Sequence, residues 1–438
     1  MRLSNRRRSL FSTGILAITL LTSVATQAQT FDSGSDGSDG ALNLTTPGTV
    51  YFFGLPGLDS DGDRVYHFTT INIASGVTVD FTKTISGPVI WLATGDVEID
   101  GDIVLDGEAG HGPNGPFRDS LPGAGGFSGG QGRSNIVFAK SGKGPGGGIV
   151  QVDCPGSGAG FLVEGEDGGN YFGGTTAESI GGKSYGNAFL LPLIGGSGGS
   201  GGGGTFASCP SASLPSTGGG AGGGALLIAS STDITVNGTI SADGGDSPDP
   251  NPAGGSGFQA NQGGGGSGGA IRIIAPTITG NGTLRALGGL PLREDSGNIV
   301  AGSGSPGRTR LEAFQIASTI NIASPAEYST PGPVFLPQDQ LPIRVASIGG
   351  VPVPANPTGG FVNPDVEINQ SGPTTINIEG NGVPLGTVVT LTLIPETGET
   401  ITADSTPLTG TVENSTASAD VVIPFGISRF YVEATVTP

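Results

Sequence analysis

The stretch Ala225-Leu-Leu-Ile-Ala-Ser-Ser-Thr-Asp-Ile-Thr-Val-Asn-Gly-Thr-Ile-Ser-Ala-Asp-Gly-Gly245 is a handful of short β-type runs broken by an Asn-Gly corner. The same pattern stands at Val89-Ile-Trp-Leu-Ala-Thr-Gly-Asp-Val-Glu-Ile-Asp-Gly-Asp-Ile-Val-Leu-Asp-Gly107 and at Ala270-Ile-Arg-Ile-Ile-Ala-Pro-Thr-Ile-Thr-Gly-Asn-Gly-Thr-Leu-Arg-Ala-Leu-Gly-Gly289. A unit of about 20 residues cannot bury its own apolar face and has to stack on copies of itself. The repeat therefore predicts an all-β chain built on a right-handed parallel β-helix (solenoid) with glycine-rich insertions. Within the first copy Val97, Ile99, Ile103 and Leu105 alternate with Asp96, Glu98, Asp100 and Asp102, which puts the apolar set on one face and turns the acids to water.

Working outward, alternating strands begin at Arg64, and a last coil spans Thr309 to Ile322. The β-helix is thus expected over 64–323, after a polar leader at 29–63. Residues 108–218 form an insert too long for a structureless loop inside a compact domain. It is expected to hold a coil around Gly146 to Val152 and an apolar anchor at Phe189-Leu-Leu-Pro-Leu-Ile194. Runs such as Gly195 to Gly204 and Gly263 to Gly269 read either as loops or as extended glycine strands laid on the solenoid. A proline-marked linker at 324–342 leads into 343–438, where glycine clusters give way to seven short strand patterns with turn signals. That spacing predicts a C-terminal immunoglobulin-like β-sandwich.

Residues 1–28 have the form of an export signal, with Arg2, Arg6, Arg7 and Arg8 before an apolar run and a Thr26-Gln27-Ala28 cleavage site. Ordinary secretion fits better than a twin-arginine route, because Leu10 is the hydrophobic residue that follows the arginines. The apolar run is too short to cross a bilayer, and no longer one follows. Removing four of the 18 basic residues and none of the 37 acidic ones takes the formal charge from −19 to −23. Such a field disfavours nucleic acid and anionic lipid surfaces. Cys154 and Cys209 are the only cysteines, and in an exported chain an even pair most simply forms a disulfide.

Several segments together resemble a group of glycine-rich secreted bacterial proteins with a pectin-lyase-like right-handed β-helix. They are Ser35-Asp-Gly-Ser-Asp-Gly40, Thr69-Thr-Ile-Asn-Ile-Ala-Ser-Gly-Val-Thr-Val79, Leu193-Ile-Gly-Gly-Ser-Gly-Gly199, and Gly222-Gly-Gly224 followed by a strand and Asn237-Gly-Thr-Ile240. The resemblance covers roughly residues 31–320 and implies a fold far more than an activity.

Parallel β-helices host pectate lyases and polygalacturonases, so catalysis has to be weighed. Gly110-His111-Gly112 resembles a short polygalacturonase motif, but its companions, an Asp-Asp pair, Asn-Thr-Asp and Arg-Ile-Lys, are missing. Glycosidic hydrolysis needs two carboxyls held across the sugar, and a solvated loop histidine is the simpler reading. A lyase would need a basic residue beside acids holding Ca²⁺; Asp96, Glu98, Asp100, Asp102 and Asp106 supply carboxylates, and Arg272 and Arg285 are positioned to face outward. Asp59-Ser-Asp61-Gly-Asp63 is the candidate Ca²⁺ site, since clustered carboxylates on a glycine turn can converge on a hard cation. Trp91 lies in an apolar run and reads as core, not as a stacking platform for sugars. Outward threonines such as Thr235 and Thr239 do not repeat in the regular array that ice binding requires.

With no catalytic residues assigned, the expectation is a non-catalytic structural or adhesive protein, secreted or held at the cell surface, contacting polysaccharide or a cell-surface protein. The alternative is a β-helix polysaccharide lyase or glycoside hydrolase acting on acidic polysaccharide.

Overall fold

A computed structural model describes residues 29–58, 64–81, 87–150, 155–169, 179–203, 216–249, 261–291, 294–295, 298–299, 301–334, 343–354, 357, 365–369, 372–395 and 401–434, apart from 114, 117, 135, 136, 425 and 427. The first part of the chain forms strands β1 (Gly40–Leu44), β2 (Gly48–Tyr51), β3 (Val65–Ile73), β4 (Val77–Asp80), β5 (Val89–Ala93), β6 (Val97–Ile99), β7 (Asp102–Val104), β8 (Ala225–Ser230), β9 (Asp233–Val236) and β10 (Thr239–Ser241). It continues with β11 (Ala270–Gly280), β12 (Thr283–Arg285), β13 (Glu294–Asp295), β14 (Asn298–Ile299), β15 (Arg308–Ser318), β16 (Asn321–Ile322) and β17 (Ala326–Ser329). Among the described residues the only helical turn is a single 3-10 turn at Phe52–Gly54.

The three repeats pair side by side and in parallel, with Ile90 opposite Leu227 and Leu227 opposite Arg272. Their later runs pair likewise in a separate parallel sheet ordered β16-β12-β10-β7-β4-β2. The larger sheet closes on itself. Its pairings run β3-β5-β8-β11-β9-β6 and back to β3, a six-strand parallel ring extended by β1 at one end and by β15 and β17 at the other. This closure overturns the expected right-handed parallel β-helix solenoid.

The physical reason lies in two long strands. The first and second repeats break at Thr94-Gly95-Asp96 and Ser231-Thr232, so each supplies two separate strands. No such break interrupts Val65–Ile73 or Ala270–Gly280, and each of these strands divides its length between two neighbours. Pro276 falls in β11 where pairing to β8 has ended at Ile274 and pairing to β9 has yet to begin at Thr277, so its missing N–H costs little.

The strands β5 and β8, with the first halves of β11 and β15, are buried on both faces, as parallel strands usually are. Leu226, Ile228, Ile271 and Ile273 join Tyr66, Phe68, Trp91 and Ile240 in the central core. Trp91 is fully buried there, against Phe52, Phe68 and Phe81. The opposite face, from Ala225, Leu227 and Ile274, meets Phe161, Tyr185, Leu190 and Leu193 of the insert. The apolar anchor at 189–194 thus divides, Leu190 and Leu193 inward and Phe189 to solvent.

The glycine-rich segments are neither loops nor strands of these sheets. Along 219–224 the backbone donors turn through three directions in order. Gly219 and Gly222 donate to the carbonyls of Gly130 and Phe127, Gly220 and Gly223 to those of Gly264 and Ser267, and Ala221 and Gly224 to those of Glu108 and Leu105. The carbonyls of Gly220 and Gly223 accept from Gly199 and Gly196, that of Ala221 from Gly245 and that of Gly222 from Gly123. A three-residue repeat with no bond inside the segment is the signature of a polyproline II-type helix, here ringed by six neighbouring segments. Segment 264–269 repeats the rule, its amides going in turn to 197–200, 302–305 and 242–245.

Such packing leaves no room for side chains. A Cβ on Gly220 would lie 1.7 Å from the carbonyl oxygen of Gly245, and one on Gly222 would lie 1.9 Å from that of Gly196. Much of the expected insert, including Gly146 to Gly148, belongs to this bundle, which covers one face of the parallel sheet.

The C-terminal part holds β18 (Ile343–Ile348), β19 (Val351–Pro352), β20 (Pro373–Gly380), β21 (Val389–Pro395), β22 (Ile401–Asp404), β23 (Thr409–Gly410), β24 (Ser415–Val422) and β25 (Ser428–Ala434). They form two antiparallel sheets, β19-β18-β20-β24-β23 and β22-β21-β25, an arrangement compatible with a sandwich. β20 alternates strictly between buried and exposed residues, and Ile376 and Ile378 meet Leu391 and Leu393 of the other sheet in one core.

Gly220→Ala should cost more than about 3 kcal/mol, since the new methyl meets backbone that cannot yield. Gly112→Ala, with open space around the site, should stay within about 0.5 kcal/mol. Denaturant melts of the two variants check the contrast, and equal effects would refute the close-packed bundle.

Candidate functional site

The acids of the first repeat do reach the flank of the parallel sheets, and they are bound there to neighbouring strands and corners. Asp96 Oδ1 accepts from the Thr232 hydroxyl at 2.6 Å and Asp100 Oδ1 from the Asn237 amide at 2.7 Å. Asp102 Oδ1 accepts from the Thr239 backbone N–H and Asp106 Oδ1 from that of Asp243. The row continues beyond the residues singled out from sequence, because Asp243 and Asp246 accept from the N–H groups of Leu287 and Leu290. Glu98 is exposed.

Arg285 joins this row, its Nη2 lying 2.5 Å from Asp243 Oδ2 and 4.0 Å from Asp106 Oδ2. Burial pushes the Asp243 carboxyl above its ordinary range, and the charge of Asp106 adds to that against the opposing Leu287 amide and Arg285. Two carboxylates and one guanidinium therefore meet on the flank.

Arg272 does not join them. It points to the opposite face of β11 and is 3 % exposed, where sequence reading placed it outward. The correction follows from strand alternation: Arg272 shares its face with Ala270 and Ile274, which pack under the glycine bundle. There its Nε donates to Glu312 Oε1 at 2.7 Å, and Arg310 Nε donates to the same oxygen at 2.7 Å. Glu312 Oε2 accepts from the Gly332 backbone N–H at 2.8 Å. Arg310 also donates to the carbonyl of Ala188 and the hydroxyl of Ser329, and lies over the Phe189 ring at 5.1 Å.

This buried node ties four pieces of chain together: β11, β15, the 186–194 loop and the segment that follows β17. Burial drives the Glu312 carboxyl upward, but hydrogen bonds and charge from Arg272, with Arg310 and the Gly332 amide, outweigh it and hold the group below the usual carboxylate range. Arg272 Nη1 is buried with no hydrogen-bond partner among the described residues. Sequence reading missed Glu312 and Arg310. The available signal was the charged set Arg308, Arg310 and Glu312 alternating with Thr309, Leu311 and Ala313, which marks one strand face as polar yet covered.

His111 sits at a turn of the insert, its Nε2 3.8 Å from Glu108 Oε2. Glu108 is already held by both terminal nitrogens of Arg118 and by the Leu121 amide. Burial lowers the His111 pKa against the pull of Glu108, which favours the neutral ring. Asp59, Asp61 and Asp63, and likewise Cys154 and Cys209, lie outside the described residues. Among the described residues no group of three or more His, Cys, Asp or Glu side chains is placed to hold a metal ion. No helix there is long and apolar enough to cross a membrane.

No family model, curated protein or solved structure matches the chain. The Glu312 node supplies a test that needs no relative. A folded-state pKa held low gives stability that is complete above the unfolded carboxylate value of about 4.3 and is lost as pH falls through the lower folded value. Glu312→Gln should cost about 3–5 kcal/mol at neutral pH, by leaving two buried guanidinium groups without their carboxylate. It should also flatten the acid limb of stability measured by urea unfolding from neutral to acidic pH; an unchanged limb would sink the assignment.

Proposed function

We propose that this chain is a non-catalytic structural or adhesive protein, secreted or held at the cell surface, which serves as a stiff body in contact with extracellular polysaccharide. One observation carries the reading: the polar side chains along the flank are acceptors for backbone and side-chain donors of the adjoining strands and corners. Six aspartates serve this purpose, at residues 96, 100, 102, 106, 243 and 246. Carboxylates committed in this way lock neighbouring strands together. The glycine bundle adds stiffness of a second kind, since backbone packed on backbone has no side-chain rotamers to relax.

A second reading, a polysaccharide lyase or glycoside hydrolase, draws support from one place. Asp106, Asp243 and Arg285 bring two carboxyls and a guanidinium together on the flank. A carboxyl held above its usual range beside a second carboxylate is one requirement of a general acid.

Incubating the chain with acidic and neutral polysaccharides, with and without Ca²⁺, separates the two. Retention of protein on a polymer without cleavage is expected. Unsaturated uronide absorbance or new reducing ends, abolished by Asp243→Asn or Arg285→Gln, would overturn the non-catalytic reading.

A further inference from the structure

The parallel sheets have two ends, and the chain treats them differently. At the end marked by β1 and β2 the chain folds over its own core. Phe52 is buried against Tyr66, Phe81 and Trp91, with Phe53, Leu55 and Leu58 packed beside it. Leu42, the first residue of an in-register apolar column that runs through Ile71, Val97, Ile234 and Ile278, is buried there.

At the other end the same column stops in the open. Ile316 lies opposite Ile278 and is 38 % exposed. A second column runs Val50, Val79, Ile103, Ile240 and Leu284 to Ile322, which is only partly buried. A third runs Tyr66, Trp91, Ile228, Ile273 and Leu311 to Tyr328, which is 58 % exposed. Among the described residues the outer edges of β16, β17 and the later half of β15 have no strand partner.

The chain itself turns away from this end. After Ser329, residues 330–334 run back over the face that the glycine bundle covers, where the Gly332 N–H donates to Glu312 and Val334 packs against the cluster that contains Phe161, Leu190 and Leu227. Apart from the exposed Glu327 of β17, the edge also lacks the charges that usually blunt an open sheet edge. From Ala313 to Ala326, fourteen residues in sequence carry no Asp, Glu, Lys or Arg, in a chain whose formal net charge is −19.

We infer that this open end is an interface between two copies of the chain, joined end to end about a two-fold axis. An edge that is uncharged from Ala313 to Ala326 and exposes Ile316 and Tyr328 is where two strongly acidic molecules can meet with few like charges face to face. Because the opposite end is closed by Phe52 and its neighbours, growth stops at two, giving a closed dimer and not a filament. Ile316, Ile322 and Tyr328 would supply its apolar centre. The inference extends the structural reading above, and its test uses no glycan, so either can fail alone.

Sedimentation velocity and light scattering of the full chain over rising protein concentration should give twice the chain mass. Ile316→Lys and Tyr328→Lys should each reduce it to the single-chain mass while the circular dichroism spectrum stays that of the folded parent, because both positions are exposed; their melting temperatures should lose the dependence on protein concentration that the parent shows. Thr319→Lys, an exposed polar position on the same end, should do the same without touching an apolar residue. Val163→Lys, exposed elsewhere, should leave the dimer intact. A single-chain mass throughout, particles larger than two chains, or dimers that survive all three end variants would each overturn the inference.

Discussion

Backbone amides that cannot bond within their own segment must find a partner in a neighbour, and almost every feature of this molecule follows from how that demand is met. In the parallel sheets it is met by in-register strands, which line up equivalent residues into continuous columns. In the glycine segments it is met by three-fold helices that hand successive amides to three different neighbours. Both solutions need close approach, and the second needs it so closely that Gly220 and Gly222 have carbonyl oxygens where a methyl would stand. The glycines of the bundle are in this sense a packing requirement.

The two layers depend on each other. A parallel sheet buried on both faces needs a cover for its second face, and the bundle supplies one through Phe161, Tyr185, Leu190 and Leu193. The bundle in turn has little apolar surface of its own and takes its footing from that contact. Where the cover meets the last long strands, apolar packing gives way to the Arg272, Glu312 and Arg310 node. A buried ion group is weak evidence for stability in itself. Its geometry here gives it a positioning role, because a single carboxylate fixes two strands and the segment leaving the sheet, and its partner Arg310 adds the loop at Ala188.

Much of the strand pattern was legible in the sequence. The alternation of Val97, Ile99 and Ile103 with acids, the apolar setting of Trp91 and the Asn-Gly corners all mark short strands stacked in parallel. The ring closure was not, because it depends on the absence of a break at Thr69 to Ile71 and on where pairing lapses around Pro276. Neither leaves a motif. The glycine bundle was hidden for a different reason: Gly-Gly-Ser-Gly has the composition of a flexible linker, and its order comes wholly from six neighbours far away in sequence. The buried node left only the alternation of Arg308, Arg310 and Glu312 with Thr309, Leu311 and Ala313 as a trace, and its pairing was hidden because Arg272 lies 40 residues from Glu312 on a strand that reads as ordinary core.

The acidity of the chain takes on a different meaning in this light. Parallel strands joined at tight corners leave backbone N–H groups along the flank, and each needs an acceptor from outside its own strand. An aspartate one strand back provides it, as Asp106 does for Asp243 and Asp243 does for Leu287. Repeating that device along the flank accumulates negative charge even if no ligand ever binds. The charge then limits where the molecule can meet another of its kind, and the uncharged stretch from Ala313 to Ala326 is the exception that the same logic makes informative. Acid content alone therefore argues for neither a cation nor a uronate substrate; it is what this way of stacking strands produces when side chains complete the backbone's hydrogen bonds.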